Sequence, residues 1–345
     1  MQNGERKINL KDLTILELTE LAKNEGEAGF KGKQIFEWIY RGIESIDEMT
    51  NLSKDFRKRL SEISYIGQIK IKEKYVSNID ETRKYLLQLD DGNFIESVLM
   101  KYEHGYTICV STQVGCRMGC KFCASTLKGR ERNLTPGEII DQIICVQKDL
   151  GQRISNVVMM GIGEPLDNFE NVLKFLDIVT AKGGLNIGQR HISLSTCGLA
   201  DKIKELADRK MQITLLISLH APDDERRSAI MPINKKFCID ELMKACDYYI
   251  EKTNRRISFE YTLIAGVNDN VSEADSLAKL LRGRLCHVNL IPVNKVTETG
   301  FDKSDRKKIE DFRTRLEEKG VIATVRREMG SDINAACGQL RNQKI

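Results

Sequence analysis

The chain has 345 residues, of which 41% are hydrophobic, so it is long enough to bury a large core in one α/β domain or in two smaller ones. Its 54 Lys and Arg residues nearly balance 50 Asp and Glu residues, and both signs are spread along the chain, so no segment stands out as a basic arm for nucleic acid. No apolar run approaches the ~18 to 20 residues of a spanning helix, and the opening MQNGERKINLKDL lacks a signal-peptide core, so we expect a cytoplasmic protein without membrane contact.

Residues 1–66 are predicted to form a small accessory helical domain. Apolar residues recur at helical spacing in three stretches, "LTILELTELAKNEG" (13–26), "KGKQIFEWIYRG" (31–42) and "NLSKDFRKRLSEIS" (51–64). The first two stretches run into Gly, which commonly follows the last turn of a helix.

Residues 67–104 are predicted to be a β-strand linker or extension. The stretches "IKIKEKYVS" and "RKYLLQLDDGNFIESVLMKYE" are typical of strands, and Asp91-Gly92 is a hairpin turn signal.

From residue 105 to residue 345 the pattern alternates between strand and helix. The predicted strands are "YTICVS", "SNVVMMG", "RHISLST", "QITLLISLH", "RISFEYTL", "LCHVNLIPV" and "VIATVRR". In "TPGEIIDQIICVQKDLG", Thr135 can cap a helix, Pro136 suits its first position, Glu138 completes a capping box and Gly151 ends it. Such alternation predicts parallel strands with helical crossovers, as an open sheet or a partial or complete barrel.

Four motifs follow consecutive predicted strands of this region. They are a cysteine triplet, "GIGEPL" (161–166), "STCG" (195–198) and "SLHAP" (218–222). Because the carboxyl ends of parallel strands face one edge of a sheet or barrel, we expect the four motifs to meet at one mouth.

The triplet, Cys116, Cys120 and Cys123 in "VGCRMGCKFCAS", has the spacing CxxxCxxC. A structural zinc site takes four ligands, commonly from two separate pairs, and a fully protein-held iron-sulfur cluster also takes four cysteines. Three thiolates on one loop would leave one iron of a four-iron cluster open to a small molecule. A zinc site closed by a distant cysteine such as Cys109 is the alternative.

The chain has ten cysteines and no predicted secretory signal, which favours metal ligation, catalysis or burial over disulfides. Five of them have apolar neighbours and are predicted to be small buried side chains. These are Cys145, Cys197, Cys238, Cys246 and Cys286.

Taken together, "CVSTQVGCRMGCKFCAS", "VVMMGIGEPLDN", "ISLHAPDDERR" and "DINAACGQL" resemble the RlmN family of radical S-adenosylmethionine enzymes over nearly the whole chain. The resemblance implies a radical SAM partial (β/α)6-type barrel and methylation of adenine C2 in 23S ribosomal RNA and in some transfer RNAs. It also implies one [4Fe-4S] cluster per chain and two molecules of S-adenosylmethionine per turnover.

The resemblance implies roles for motif residues. Cys116, Cys120 and Cys123 would bind the cluster, with S-adenosylmethionine on the fourth iron. The implied contacts to S-adenosylmethionine are Gly163, Glu164, Ser195, Ser218, Leu219, His220 and Asn294. A tight strand-to-helix turn at the glycines and a core histidine at His220 are the ordinary alternatives.

Two further cysteines, Cys109 and Cys337, are buried thiols by position alone, but the resemblance implies catalysis. Adenine C2 is electron-poor and should not displace the methyl group of S-adenosylmethionine directly. A cysteine thiolate is a competent nucleophile for that step. In the family, Cys337 takes a methyl group, a 5′-deoxyadenosyl radical removes hydrogen from it, and the resulting carbon radical adds to C2. A Cys109–Cys337 disulfide then releases the RNA, with Glu96 or Cys109 as the proton acceptor. Without the resemblance, Glu96 would be an exposed charge on a hairpin strand.

The resemblance implies two partners, RNA and a reductant such as flavodoxin or ferredoxin. We expect the helical domain to help hold the RNA, and we expect a monomer.

The family often has Pro-Trp-Asn-Pro where this chain has "PVNK" (292–295), which retains Asn294. The related enzyme Cfr methylates adenine C8 and usually has Ala where this chain has Pro165, so "GEPL" favours C2. The alternatives are Cfr-like C8 methylation and a non-enzymatic, zinc-stapled RNA-binding module.

Overall fold

A computed structural model of the chain describes residues 7–341. The first part of the chain forms three helices and a short parallel pair of strands. These elements are β1 (Ile8–Asn9), α1 (Ile15–Asn24), α2 (Phe30–Tyr40), α3 (Lys54–Ile63) and β2 (Ser64–Tyr65). The three helices coincide with the three stretches of helical periodicity in the sequence.

The segment after α3 folds into three antiparallel strands, β3 (Lys70–Val76), β4 (Arg83–Gln88) and β5 (Phe94–Tyr102). The predicted Asp91-Gly92 turn connects β4 and β5, with Gly92 at φ +88°. Strand β5 also pairs with the first core strand, so these strands continue the core sheet instead of standing apart from it as a linker.

The remaining described residues alternate between strand and helix. The strands are β6 (Gly105–Cys109), β7 (Gln113–Gly115), β8 (Arg130–Asn133), β9 (Ile154–Met159), β10 (Ile192–Thr196), β11 (Thr214–Ser218), β12 (Ile257–Leu263), β13 (Cys286–Pro292) and β14 (Ala323–Val325). The helices are α4 (Pro136–Leu150), α5 (Phe169–Thr180), α6 (Ala200–Asp208), α7 (Asp224–Ile230), α8 (Ile239–Thr253), α9 (Val271–Leu281) and α10 (Arg306–Glu318).

Ten strands form one open sheet in the order β14-β13-β12-β11-β10-β9-β6-β5-β4-β3. The seven strands from β14 to β6 run parallel, and all seven strands predicted after residue 105 are present. Because consecutive parallel strands are joined through helices, their carboxyl ends lie along one edge of the sheet. A hairpin of β7 and β8 follows β6 and encloses the cysteine triplet.

Helix α4 begins and ends as the sequence predicts. The Thr135 hydroxyl accepts the Glu138 N–H, the Glu138 carboxylate accepts the Thr135 N–H, and Gly151 ends the helix at φ +70°. The α4 N-terminus is also contacted from the first part of the chain, because the Asp12 carboxylate accepts the Gly137 N–H at 2.7 Å. The helices before β3 are thereby tied to the core at the start of α4.

Among residues 7–341, no helix is both long and apolar enough to cross a bilayer.

Candidate active site

The carboxyl ends of the parallel strands surround a cavity of about 150 Å³. Ten of the residues predicted for the site line it: Cys116, Cys120, Cys123, Gly163, Glu164, Ser195, Ser218, His220, Asn294 and Cys337. The expectation that the strand-end motifs meet at one mouth is therefore confirmed by the structure.

Two loops bring cysteines to this cavity, and we name them by their residues. The cysteine loop, residues 110–129, follows β6 and carries the triplet. The C-terminal loop, residues 326–341, follows β14 and carries Cys337. The two loops touch directly, because the Ala124 N–H donates to the Gly338 carbonyl at 2.8 Å.

The cysteine loop is held by one carboxylate, Asp167. Arg117, Arg130 and Gln113 all donate to it, with Arg130 at 2.7 Å and Gln113 at 3.0 Å. Although burial opposes ionisation, the hydrogen bonds from Arg117 and Gln113 hold the pKa of Asp167 below its usual value. Asp167 therefore stays ionised at neutral pH and fixes the loop.

The donor set of the cysteine loop fits an iron-sulfur cluster. Its three thiols face one cavity, and the sulfur and aromatic side chains of Met118, Met159 and Phe122 contribute soft, water-excluding walls. Burial raises the pKa of the Cys116 thiol to about 12, so binding of a metal cluster to these side chains would release protons.

A mononuclear zinc site would need a further ligand. Among residues 7–341, no three His, Cys, Asp or Glu side chains are close enough together to ligate a single metal ion. The fourth ligand considered for zinc, Cys109, does not line the cavity. It is 7% exposed and packs in an apolar cluster with Met100, Ile162 and Ala335.

The GIGEPL turn depends on its glycines and on one buried carboxylate. A Cβ on Gly161 would lie 2.6 Å from the Val110 carbonyl oxygen, and one on Gly163, at φ +108°, would lie 2.6 Å from the Gln113 Cβ. The Glu164 carboxylate accepts backbone N–H groups of Cys197 at 2.7 Å and of Leu166 at 3.0 Å. The glycines let the turn approach the cysteine loop, while Glu164 ties it to the end of β10.

His220 lies at the end of β11 in a left-handed conformation, with φ at +58°. Its Nδ1 accepts the Thr262 N–H at 2.9 Å, so Nε2 carries the proton of the neutral ring. Burial and then the charge of Arg227 lower the pKa of His220 to about 3. The His220 ring is therefore neutral at physiological pH. It packs edge-to-face against the Phe122 ring, with 4.9 Å between the ring centroids.

Asn294 and Leu219 contribute differently to the site. The Asn294 amide donates to the Cys337 carbonyl at 2.9 Å and so positions the C-terminal loop. The Leu219 side chain is fully buried and does not line the cavity, and its backbone N–H donates to the Glu260 carbonyl at 3.0 Å.

Glu96 is buried, which corrects the ordinary expectation of an exposed charge on a hairpin strand. It is 2% exposed, pairs with Lys84 at 3.3 Å and accepts the backbone N–H of Arg341. Burial raises the pKa of the Glu96 carboxyl, and interactions with Lys84 and Arg341 partly offset that rise. Glu96 lies under the C-terminal loop and does not line the cavity.

Cys109 and Cys337 lie near each other although they are far apart in sequence. Burial and then the charge of Cys337 raise the pKa of the Cys109 thiol to about 12. The Arg326 guanidinium interacts with both thiols, and it pairs with Glu260 at 3.3 Å.

Glu260 and Cys197 are the two ionisable residues lining the cavity that the sequence interpretation missed. Glu260 is 2% exposed and accepts the hydroxyl protons of Ser195 at 2.6 Å and of Ser218 at 3.4 Å. An acidic residue inside the apolar run "ISFEYTL" was the available signal. Cys197, predicted to be an ordinary buried thiol, is buried but faces the cavity because the turn after β10 points there.

Comparisons with known proteins agree with this geometry. Residues 110–279 match the family model of the radical SAM superfamily, and residues 8–66 match that of the ribosomal RNA large subunit methyltransferase N-terminal domain. The chain is 60% identical to the probable dual-specificity RNA methyltransferase RlmN of Clostridium perfringens (strain SM101), over 98% of this chain and 97% of that protein. A similar relative from Alkaliphilus oremlandii is 58% identical over 98% and 99% of the two chains.

A solved structure shares the fold over nearly the same extent. It is the crystal structure of a radical SAM methyltransferase from Sphaerobacter thermophilus, with a TM-score of 0.92, 42% identity, and coverage of 97% of this chain and 100% of that chain. The expected radical SAM fold with a helical N-terminal region is confirmed.

Proposed function

Because this chain belongs to the RlmN family of radical S-adenosylmethionine RNA methyltransferases, we propose that it methylates C2 of adenine in 23S ribosomal RNA and in some transfer RNAs. The family implies a [4Fe-4S] cluster and S-adenosylmethionine as cofactors. The observation that carries the proposal is the convergence of the cysteine triplet and Cys337 on one cavity.

In this proposal Cys116, Cys120 and Cys123 hold one cluster per chain. The residues that would hold S-adenosylmethionine are Gly163, Glu164, Ser195, Ser218, His220 and Asn294, which line the cavity. The buried Leu219 would act only through the backbone between Ser218 and His220. The bound cofactors supply a 5′-deoxyadenosyl radical by reductive cleavage of S-adenosylmethionine. The protein side chains contribute a closed cavity, and His220 is a neutral Nε2–H donor.

Cys337 is the proposed methyl carrier. Its thiolate would take the methyl group of one S-adenosylmethionine, with S-adenosylhomocysteine as the leaving group. The radical supplied by a second molecule would remove one hydrogen from that methyl group and leave as 5′-deoxyadenosine. The carbon radical formed on the methylated Cys337 would add to adenine C2 and tether the RNA to the protein. The hydrogen bond from Asn294 to the Cys337 carbonyl supports this role, because it holds the thiol at the cavity wall.

Cys109 is the proposed resolving thiol. Loss of the C2 proton to Glu96 or to Cys109 and of one electron to the bound cluster would restore the aromatic ring. Attack of the Cys109 thiolate on the Cys337 sulfur would then break the carbon–sulfur bond and leave a disulfide, and the released carbon would take up a proton to complete the methyl group. The electrostatic interaction of the two thiols supports this pairing. The ion pair of Glu96 with Lys84 and its bond to Arg341 favour Glu96 as an anchor of the C-terminal loop.

We propose that residues 1–66 hold RNA, that residues 67–104 extend the sheet and that residues 105–345 form the radical SAM core. Phosphate contacts would come from exposed Lys and Arg side chains, and the target adenine would leave its stack to reach the cavity. A low-potential donor such as flavodoxin or ferredoxin would supply the electron to a monomeric enzyme.

The test is mass spectrometry of RNA after reaction with the reconstituted, oxygen-free enzyme. We expect a methyl group on adenine C2, at least ~1,000-fold loss of RNA methylation in Cys337→Ala, and retained cofactor cleavage in that variant. Cys238→Ala, which removes a thiol away from the cavity, is the matched control and should keep full activity. Methyl on C8 would identify a Cfr-like enzyme, and RNA binding without any methylation would identify a binding module.

A further inference from the structure

A fully buried arginine, Arg227, lies beside the cysteine loop without an anionic partner. Its side chain is 0% exposed. The guanidinium donates only to neutral oxygens: the carbonyls of Cys197 at 2.6 Å, Ser218 at 3.2 Å and Leu219 at 3.1 Å, and the amide of Asn234 at 2.9 Å. Among residues 7–341 it forms no salt bridge. A buried charge that is hydrogen-bonded but not neutralised is costly, so it calls for a counter-charge.

The backbone fixes this charge against the cysteine loop. Helix α7 carries Arg227, and the carbonyl of its last residue, Ile230, accepts the Lys121 N–H at 2.9 Å. Lys121 directly follows Cys120. The thiols that interact most strongly with the guanidinium are those of Cys197 and Cys120.

The carboxylate that interacts most strongly with Arg227, that of Asp224, does not pair with it directly. Asp224 is exposed and reaches the guanidinium only through Asn234, whose amide donates to the Asp224 carboxylate at 2.8 Å. The positive charge of Arg227 can therefore interact with an anion bound in the adjacent cavity.

We propose that Arg227 is the counter-charge of the iron-sulfur cluster and raises its reduction potential. The inference rests on the proposed function, since it requires the cluster on Cys116, Cys120 and Cys123. Three thiolates outweigh the two positive charges of the oxidised cluster core, so the assembly is anionic. It gains one further negative charge when it accepts an electron from an external one-electron donor, and no bond breaks. A nearby fixed positive charge favours the more negative, reduced state.

The first test is a dithionite titration of the reconstituted holoenzyme followed by electron paramagnetic resonance. At a fixed potential, Arg227→Gln should lower the ratio of reduced to oxidised cluster at least tenfold, a change equivalent to about 59 mV for a one-electron couple. Arg227→Lys should restore most of that ratio, because it keeps the charge. Arg226→Gln removes an exposed arginine from the same helix as Arg227. Arg226 pairs with Asp223, and its substitution should leave the ratio of reduced to oxidised cluster unchanged.

A second variant keeps Arg227 in place. The double substitution Asp224→Asn/Asn234→Asp moves the carboxylate next to the guanidinium, leaves the net charge unaltered and preserves the hydrogen bond between the two side chains. Because the charge of Arg227 is then neutralised locally, we expect the same tenfold fall in the reduced fraction. This variant decides the matter if Arg227→Gln fails to fold or to take up iron.

An unchanged ratio in the double variant, with a full cluster and a normal spectral response to S-adenosylmethionine, would overturn the role of Arg227 and leave the proposed function intact. A wild-type protein that binds no cluster after reconstitution would instead refute the proposed function.

Discussion

The two loops that meet at the cavity are held in different ways. The cysteine loop is fixed mostly at shorter sequence separations, by the β7–β8 hairpin and by Asp167, which lies 50 residues from Arg117. The C-terminal loop is fixed by distant residues. Asp80 accepts the Gly330 N–H at 2.8 Å, and Glu96 accepts the Arg341 N–H, across 250 and 245 residues of sequence.

From this difference we expect cofactor binding and RNA methylation to depend on separate supports. Strands β3 to β5 and the turns between them anchor the C-terminal loop that carries Cys337, as the bond from the Ser77 hydroxyl to Asp332 at 2.7 Å also shows. Damage to these strands should therefore impair methylation without impairing cofactor cleavage.

The largest effect is expected from Asp167→Ala in the cysteine loop. The substitution leaves Arg117, Arg130 and Gln113 without their shared acceptor. A hydrogen bond to a charged group contributes ~1.5–3 kcal/mol where it is shielded from solvent and less at the exposed Arg117. We expect loss of most bound iron and of both cofactor cleavage and methylation, measured by iron analysis and by product chromatography. Glu170→Gln, an exposed carboxylate nearby, should retain iron. Full iron content in Asp167→Ala would show that the loop needs no such clamp.

An intermediate effect is expected from Asp80→Ala, which removes the acceptor of the Gly330 N–H. Loss of a bond of this kind costs ~1–2 kcal/mol, so the population of the correctly placed loop should fall about tenfold. RNA methylation should fall by about the same factor while cofactor cleavage persists, as measured in parallel assays. Glu103→Ala, at the exposed hairpin tip, serves as the control. Equal losses of both activities would contradict the separation of the two supports.

The smallest effect on cofactor cleavage is expected from substitutions on α3, because they alter neither the cysteine loop nor the C-terminal loop. Lys54 and Lys58 are exposed on α3, and the double substitution to Ala should leave cofactor cleavage unchanged. If these side chains contact phosphates, RNA affinity should become weaker and the slope of log affinity against log salt should fall by about two. Binding titrations at several salt concentrations measure this slope, with Lys210→Ala as the control. An unaltered slope would remove α3 from the RNA-binding surface.

Local sequence signals predicted much of the fold. The capping box of Thr135 and Glu138 fixed the start of α4, and the seven apolar runs after residue 105 all became parallel strands. The placement of motifs at strand ends was sufficient to predict the shared cavity, because parallel strands with helical crossovers leave only one edge for their carboxyl ends.

Other features depended on contacts that no local pattern encodes. Glu96 looks like an exposed strand residue until the C-terminal loop covers it, and Cys197 looks like an ordinary core thiol until the turn after β10 faces the cavity. Glu260 is conspicuous only as an acid within an apolar strand, and its partners come from elsewhere in the fold, Ser195 from β10 and Arg326 from the C-terminal loop.

The sequence by itself determined the spacing of the three thiols and the order of strands and helices, because these depend on interactions between near neighbours. Only the tertiary structure decided that Cys337 meets the cysteine loop, that Glu96 lies beneath the C-terminal loop and that Arg227 lies buried without an anionic partner. Those arrangements follow from long-range packing, in which burial of apolar surface brings together side chains more than a hundred residues apart and sets their charges in a common low-dielectric space.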